Sequence, residues 1–382
     1  MSTYPPRICG IGSFTRDLAR ALTIRRHVQR NVVVPIENDS SRRSDKNAID
    51  QFDRRSYVNA ARLLNESNVD LVNIQHEFGI FGGELGMYVL SLCRNLRPPL
   101  VTTFHTVLPD PNEKMLEIIR TISNLSATVV VTVESAKKLL SCEYFVNEQK
   151  IEVVPHGAHA PDQKRRNFGR NSLHLTNRNV LATTGLINPG KGAEFVIKAL
   201  PYLIEKWPNL LYLVIGETHP EVRKRDGEVY RDQLAQLVRE LKLERNVRFV
   251  DQYLPQDDLS LYLQATDVYI APYLGRDQVS SGTITLALTH GKAIVSTPTV
   301  FAKEALAHDR GILCDFADSR SIARCIRRIL IDSTFRHRLE MNAFKYGREL
   351  GWARVADQYA EVFRSAMQLS RAVSETPAIS EV

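Results

Sequence analysis

Three histidines and a glutamate stand just beyond short β-branched runs in the first half of the chain. His76 and Glu77 lie in Gln75-His76-Glu77-Phe78-Gly79-Ile80-Phe81-Gly82-Gly83, His105 in His105-Thr106, and His156 in Pro155-His156-Gly157. Imidazoles at strand ends suggest a polar cleft wall, where a neutral ring hydrogen-bonds a sugar or closes a turn. They lack the second-shell carboxylates and close spacing of a zinc site, so no metal is expected. Gly10-Ile11-Gly12-Ser13 reads as a glycine turn entering a helix, with Phe14, Leu18 and Leu22 on one face.

The second half offers two anion-binding patterns. Gly185-Leu186-Ile187-Asn188-Pro189-Gly190-Lys191-Gly192 is a tight loop with Lys191 near a helix start, where a cation and free N–H groups attract an anion. Its spacing is not that of a P-loop, and a plain turn with a surface lysine is the competing account. Asp277-Gln278-Val279-Ser280-Ser281-Gly282-Thr283 opens a short helix with hydroxyls and a glycine. Unpaired N–H groups of such a first turn can hold a phosphate. Ordinary capping by Ser280 or Ser281 is the alternative.

Alternating elements position these loops. Strands are expected at Leu71-Val72-Asn73-Ile74, Leu100-Val101-Thr102-Thr103-Phe104, Ala127-Thr128-Val129-Val130-Val131-Thr132 and Ile151-Glu152-Val153-Val154, with helices over 57–66 and 111–125. A polar stretch, 157–179, reads as an interdomain connection. Strands then recur at 180–184, 210–215, 247–250, 268–271 and 293–296. Helices are expected over 194–206, 230–243, 259–265, 283–290, 319–332, 333–349 and 352–369. The pattern predicts an α/β protein of two doubly wound parallel sheets facing a cleft. The glycine turn at Gly10 lacks the apolar strand that usually precedes it, so the first strand of the first domain is expected to be missing from this sequence.

The 382 residues suit two or three domains at roughly 150 residues each. Apolar residues at 43% and charged residues at 24% exclude wholesale disorder and coiled coil. No run approaches the roughly 20 apolar residues of a spanning helix, and the first residues do not read as a secretory signal. Five scattered cysteines (Cys9, Cys93, Cys142, Cys314, Cys325) predict reduced thiols in a cytoplasmic protein. The net charge of +7 favours anionic small molecules or an anionic membrane surface. It includes Arg25-Arg26, Arg42-Arg43, Arg54-Arg55 and Lys164-Arg165-Arg166, which could also be simple solvated faces. No nucleic-acid motif is present.

In order along the chain, CGIGSFTRDLARAL, TTFHT, VVPHG, LINPGKG and SSGTITLALTHGKAIVSTP resemble the family-4 retaining glycosyltransferases (glycosyl transferases group 1) over roughly 2–363. That resemblance implies the GT-B fold, with an acceptor domain at 1–165, a donor domain at 166–335, C-terminal helices at 336–370 crossing back to the first domain, and a flexible tail at 371–382. It implies transfer of a hexose, mannose or glucose favoured, from a nucleotide sugar to a glycan or lipid-linked acceptor, without a metal or other cofactor. His105 matches the residue at the donor sugar and Lys191 the cation at the diphosphate. Gly10, Ile11 and Gly12 match the loop over the diphosphate, and Ser280, Ser281, Gly282 and Thr283 the phosphate-binding helix start. Residues 251–254, with Gln252, Tyr253 and Leu254, match the nucleobase side. His76, Glu77 and His156 are left as acceptor or cleft residues, and no enzymic nucleophile is assigned.

The sequence departs from that pattern at three positions. Many relatives carry two glutamates where Gln278 and Leu286 stand, and an arginine in place of Leu186. Gln278 can still hydrogen-bond a sugar hydroxyl. The acceptor would meet 37–55 and 78–84, where Arg42, Arg43, Arg54 and Arg55 could favour a lipid phosphate or peripheral contact at the inner membrane face. A glycan phosphorylase using free phosphate, and a non-catalytic sugar-binding protein, are the alternatives on the same fold. A nicotinamide dehydrogenase fits less well, since Gly10-Ile11-Gly12 is not a full GxGxxG.

Overall fold

The computed structural model describes residues 1–38, 47–161 and 168–375. Arg42, Arg43, Lys164, Arg165, Arg166 and the tail from 376 lie outside them. The chain forms two compact units, Met1–Gly157 with Trp352–Val382, and Ala158–Gly351.

The first unit runs α1 (Gly10–Ile24), β1 (Ile36–Glu37), β2 (Ile49–Asp50), α2 (Arg54–Glu66), β3 (Val72–His76), α3 (Val89–Cys93), β4 (Leu100–Phe104), α4 (Glu113–Leu125), β5 (Thr128–Val131), α5 (Glu134–Cys142) and β6 (Ile151–Val153). Strands β3-β4-β5-β6 form a parallel sheet, and β1-β2 a separate parallel pair. Strands β4 and β5 are buried at every residue because helices cover both faces of such a sheet. Helix α2 buries Tyr57, Ala60, Ala61 and Leu64 at helical spacing, and its N-cap Asp53 accepts the Arg55 N–H at 2.9 Å.

The sheet position expected to be empty is bridged by Met1 and Ser2. The Met1 amine donates to Asn73 O at 2.7 Å and the Gln75 N–H to Met1 O at 3.1 Å. On the other side, the Ile36 N–H donates to Ser2 O at 2.9 Å. Two residues, one of them serine, are too short to register as an apolar run.

The second unit runs α6 (Phe168–Ser172), β7 (Asn179–Thr184), α7 (Ala193–Ala199), α8 (Pro201–Ile204), β8 (Leu210–Ile215), α9 (Pro220–Asp226), α10 (Val229–Glu240), β9 (Val247–Val250), α11 (Gln256–Ala265), β10 (Val268–Ala271), α12 (Gly282–Thr289), β11 (Ala293–Ser296), α13 (Val300–Ala305), β12 (Ile312–Leu313), α14 (Ser319–Ile331) and α15 (Ser333–Gly347). Its parallel sheet has the order β12-β11-β10-β7-β8-β9. Buried Leu181, Tyr212, Val214 and Ile270 point to one face, and Val180, Ala182, Leu211 and Leu213 to the other. The helix expected over 194–206 is broken at Pro201, which has no N–H to continue the ladder.

The chain then returns to the first unit as α16 (Trp352–Glu375). Phe14, Leu18, Ala21 and Leu22 of α1 share a core with Trp352, Val355, Ala356, Tyr359 and Ala360. Burying Phe14 there contributes roughly 1.5–3 kcal/mol. Asp357 caps the contact by accepting from Arg25 at 2.9 Å and lying 2.6 Å from His27.

The boundaries differ from expectation in three ways. The division falls after Gly157 rather than after 165. The connecting stretch contains α6, which is tied down because the Arg170 guanidinium reaches Asp267 at 2.5 Å. Helix α15 stays in the second unit, since Phe335 and Leu339 join its core and Arg336 donates to Asp267 at 2.9 Å. Only α16 crosses back, and it runs past 370 to Glu375.

Candidate functional site

In the second unit the strand order reverses between β7 and β10, and the loops leaving their carboxyl ends converge there, at the usual ligand position of a doubly wound sheet. Lys191 ends a short 3-10 turn, Pro189–Lys191, after β7. Its Nζ stands 4.3 Å over the Tyr273 ring, which follows β10. The Tyr273 hydroxyl bonds Thr283 Oγ1 in the first turn of α12. A Cβ on Gly185 would lie 3.2 Å from Thr283 Cγ2 and 3.5 Å from Lys191 Nζ, so these two side chains close over that glycine. Gly216, at the end of β8 with φ +129°, packs so near that a Cβ there would meet Gly185 O at 2.0 Å.

Burial holds the Lys191 ammonium below its usual range, opposed by its neighbour Tyr269. A desolvated cation beside hydroxyls gains most from an anion. The first turn of α12 supplies further donors. Ser281 is its N-cap, accepting the Ile284 N–H at 3.3 Å, so the Gly282 and Thr283 N–H groups precede the intrahelical ladder. Gln278 is held locally: its side-chain Nε2 donates to Ser280 O at 2.8 Å, and its backbone carbonyl accepts the Phe301 N–H of α13 at 2.8 Å.

The loop after β9 is uneven. Gln252 and Tyr253 are exposed, whereas Leu254 packs against the core under the sheet. Asp251 pairs with Arg231 at 3.0 Å, and Arg231 also donates to Gly216 O at 2.8 Å. Leu286 is a buried residue of α12. The sequence reading had no role for Tyr273 or Arg231. Tyr273 lies two residues beyond a strand end, which was the one available signal; Arg231 sits inside a helix and carried none.

In the first unit Phe14 is the hub. Its ring packs edge-on against His105 at 4.9 Å, His156 at 4.9 Å and Trp352 at 5.1 Å. His105 Nε2 lies 2.9 Å from Gln75 Oε1, and His156 Nδ1 lies 2.7 Å from Gly157 O. Burial pushes His105 down to about 3 and His156 to about 4, so both rings are neutral at ordinary pH. Gly10, Ile11 and Gly12 form the first turn of α1, whose N-cap Cys9 makes no side-chain cap bond. Gly12 packs against the backbone of Thr3 and Tyr4, while a Cβ at Gly10 would meet open space.

Two of the expected cleft residues are held by contacts within the first unit. His76 is fully buried, stacked on Phe81 at 5.5 Å and edged by Phe78 and Phe104, with neither ring nitrogen bonded. It sits inward because side chains alternate along β3. Glu77 joins two strand ends: its carboxylate accepts from Thr106 Oγ1 at 2.6 Å and from the Phe78 N–H at 3.0 Å. Burial raises its carboxyl above the usual range.

Among the described residues no cluster of three or more His, Cys, Asp or Glu could hold a metal ion, and no helix is long and apolar enough to cross a membrane. A surface pocket of about 490 Å³ lies between α2 and α3, lined by Asp53, Arg54, Arg55, Val58, Ser91, Arg94 and Asn95.

Residues 8–160 match the family model described as Glycosyltransferase Family 4, and residues 164–346 match Glycosyl transferases group 1. A D-inositol 3-phosphate glycosyltransferase of Corynebacterium efficiens is 26% identical over 317 residues, covering 76% of this chain and 70% of that one. An uncharacterized glycosyltransferase of Methanocaldococcus jannaschii is 22% identical, covering 96% and 97%. The structure of Anabaena Alr3699/HepE in complex with UDP superposes with a TM-score of 0.73 at 16% identity, covering 95% of this chain and 98% of that one. With both family models matched in tandem along most of its length and the GT-B fold in its structure, the chain belongs to the group 1 and family 4 glycosyltransferases.

Proposed function

We propose that this glycosyltransferase is of the retaining type and moves a hexose, mannose or glucose, from a nucleoside diphosphate sugar to a glycan or lipid-linked acceptor in polysaccharide or glycolipid assembly. The observation that carries this reading is the convergence of Lys191, Tyr273, Gly185 and Thr283 at the strand reversal of the second unit. Departure of a nucleoside diphosphate develops negative charge, and fixed donors beside a desolvated cation stabilise it. Lys191 and the N–H groups of Gly282 and Thr283, with the Ser280 and Ser281 hydroxyls, serve the diphosphate in place of a metal ion. Gln252 and Tyr253 serve the nucleobase side. In the first unit His105 serves the donor sugar, and the α1 turn at Gly10, Ile11 and Gly12 serves the diphosphate. Anabaena HepE was solved with UDP-glucose, which favours a uridine nucleotide as the first donor to try.

The chain acts in the cytoplasm, with peripheral contact at an anionic membrane face. The pocket at Arg54, Arg55 and Arg94, flanked by exposed Phe52 and Val58, supports that contact. Co-sedimentation with anionic vesicles at low salt, lost in Arg54→Ser/Arg94→Ser, is the expected result; absence of wild-type binding removes this part.

The experiment that tests the whole is a thermal-shift screen with nucleoside diphosphates followed by a donor-hydrolysis assay. A concentration-dependent rise in melting temperature with one nucleotide, and hydrolysis of its sugar, is expected. Phosphate-dependent release of a sugar 1-phosphate instead would make it a phosphorylase, and glycan binding without turnover across a donor panel would make it a binding protein.

A further inference from the structure

The polarity of a chain of side-chain amides in the first unit can be read from its far end. Asn73 Nδ2 lies 3.0 Å from the Val101 carbonyl, which can only accept. Asn73 therefore turns its Oδ1 to Gln75, whose Nε2 donates to it at 2.6 Å. Gln75 in turn must present Oε1 to His105 Nε2 at 2.9 Å. Reversing either amide would set two acceptors face to face at these distances. The ring nitrogen meeting Gln75 must therefore carry the proton.

We propose that Gln75, oriented by Asn73, is a positioning residue that locks His105 in its Nε2–H tautomer, leaving Nδ1 as a bare acceptor for a hydroxyl of the donor sugar. This rests on the assignment of His105 to the donor sugar. His105 has 5% of its surface exposed, so its protonation pattern is set by protein groups rather than by bulk water. It is neutral at ordinary pH, so the choice between tautomers is a real one. An imidazole free to exchange tautomers would present an N–H at Nδ1 for part of the time. The lock keeps that nitrogen an acceptor throughout. His156, on the other side of the Phe14 ring, is fixed in the opposite sense: its Nδ1 meets the Gly157 carbonyl at 2.7 Å and must carry the proton, leaving Nε2 bare.

The test is a two-bond ¹H–¹⁵N correlation spectrum of the intact, ¹⁵N-histidine-labelled protein near neutral pH. His105→Gln and His156→Gln variants assign the two rings by loss of signal. The expected result is an Nε2–H pattern for His105 and an Nδ1–H pattern for His156 in one spectrum. An Nδ1–H pattern for His105 overturns the proposal. Gln75→Met, which keeps length and removes the acceptor, is expected to mix the His105 tautomers and lower kcat about tenfold with little change in donor KM. An unchanged His105 pattern in Gln75→Met overturns the positioning role. Should His105→Gln retain full transfer while the wild-type pattern is Nε2–H, the sugar assignment falls and the tautomer lock stands.

Discussion

Lys191 and Tyr273 leave different strands of the second unit and meet with the Lys191 Nζ 4.3 Å over the Tyr273 ring. The same tyrosine bonds Thr283 at the start of α12, so one side chain ties the cation to the first turn of that helix. Lys191→Ala is expected to lower kcat/KM for the donor about 100-fold or more, as loss of one charge-stabilising donor does, with little change in melting temperature. Tyr273→Phe keeps the ring and loses only the hydroxyl bond, so a loss of about two- to tenfold is expected. Steady-state kinetics beside thermal melts separate the two. Full turnover in Lys191→Ala would sink the site assignment.

Gly216→Ala is expected to destabilise the second unit by about 1–3 kcal/mol from its positive φ alone. The added methyl would also meet Gly185 O at 2.0 Å, forcing the Lys191 loop to move. Nucleotide-dependent thermal stabilisation should disappear along with the loss of stability. Melting at the wild-type temperature would show that the Gly185 and Gly216 backbones leave room for a methyl group.

Asp267 is buried and accepts from Arg170, from Arg336 and from the Val180 N–H at 2.7 Å. It joins α6, β7 and α15 at one point. Asp267→Ala leaves two arginines and a backbone N–H without their acceptor, and a loss on the order of 3–5 kcal/mol is expected in urea unfolding. A change below about 1 kcal/mol would mean that water replaces the carboxylate.

The buried histidines make stability acid-sensitive. Burial holds His76 and His105 to about 3 and His156 to about 4, whereas unfolded histidine protonates near 6.5. The unfolded chain therefore binds more protons between those limits. Stability is full above about 6.5 and falls as pH drops through that window. His76→Phe removes two unbonded nitrogens from a pocket of phenylalanines, so a higher melting temperature and a shallower acid dependence are expected. Urea midpoints between about pH 7 and about pH 4.5 measure it; an equally steep decline in His76→Phe would refute the assignment of His76 to the core.

Much of this was legible in the residue pattern, for identifiable reasons. Runs such as Leu210-Leu211-Tyr212-Leu213-Val214-Ile215 are apolar throughout, because helices cover both sheet faces, and they appear as strands where expected. Strands of two residues, Ile36–Glu37 and Ile49–Asp50, carry no period and went unseen. Lys191 and Thr283 were visible as loop and helix-start residues. Their meeting through Tyr273 depends on strand order, which local spacing does not encode. His76 was misread because its place at a strand end suggested a cleft wall, whereas its side chain turns into the core.

The division of the chain has a consequence for its biosynthesis. The first unit is interrupted: it pauses at Gly157 and resumes only with Trp352. The second unit lies on one continuous stretch and can close its sheet while the ribosome is still at work. Phe14 and its neighbours on α1 meet Val101, Val130 and Val154 of their own sheet early, but must wait for Trp352 and Tyr359 before their cover is complete. Helix α1 is thus made well before the helix that completes its cover, which marks it as a segment that a chaperone can protect.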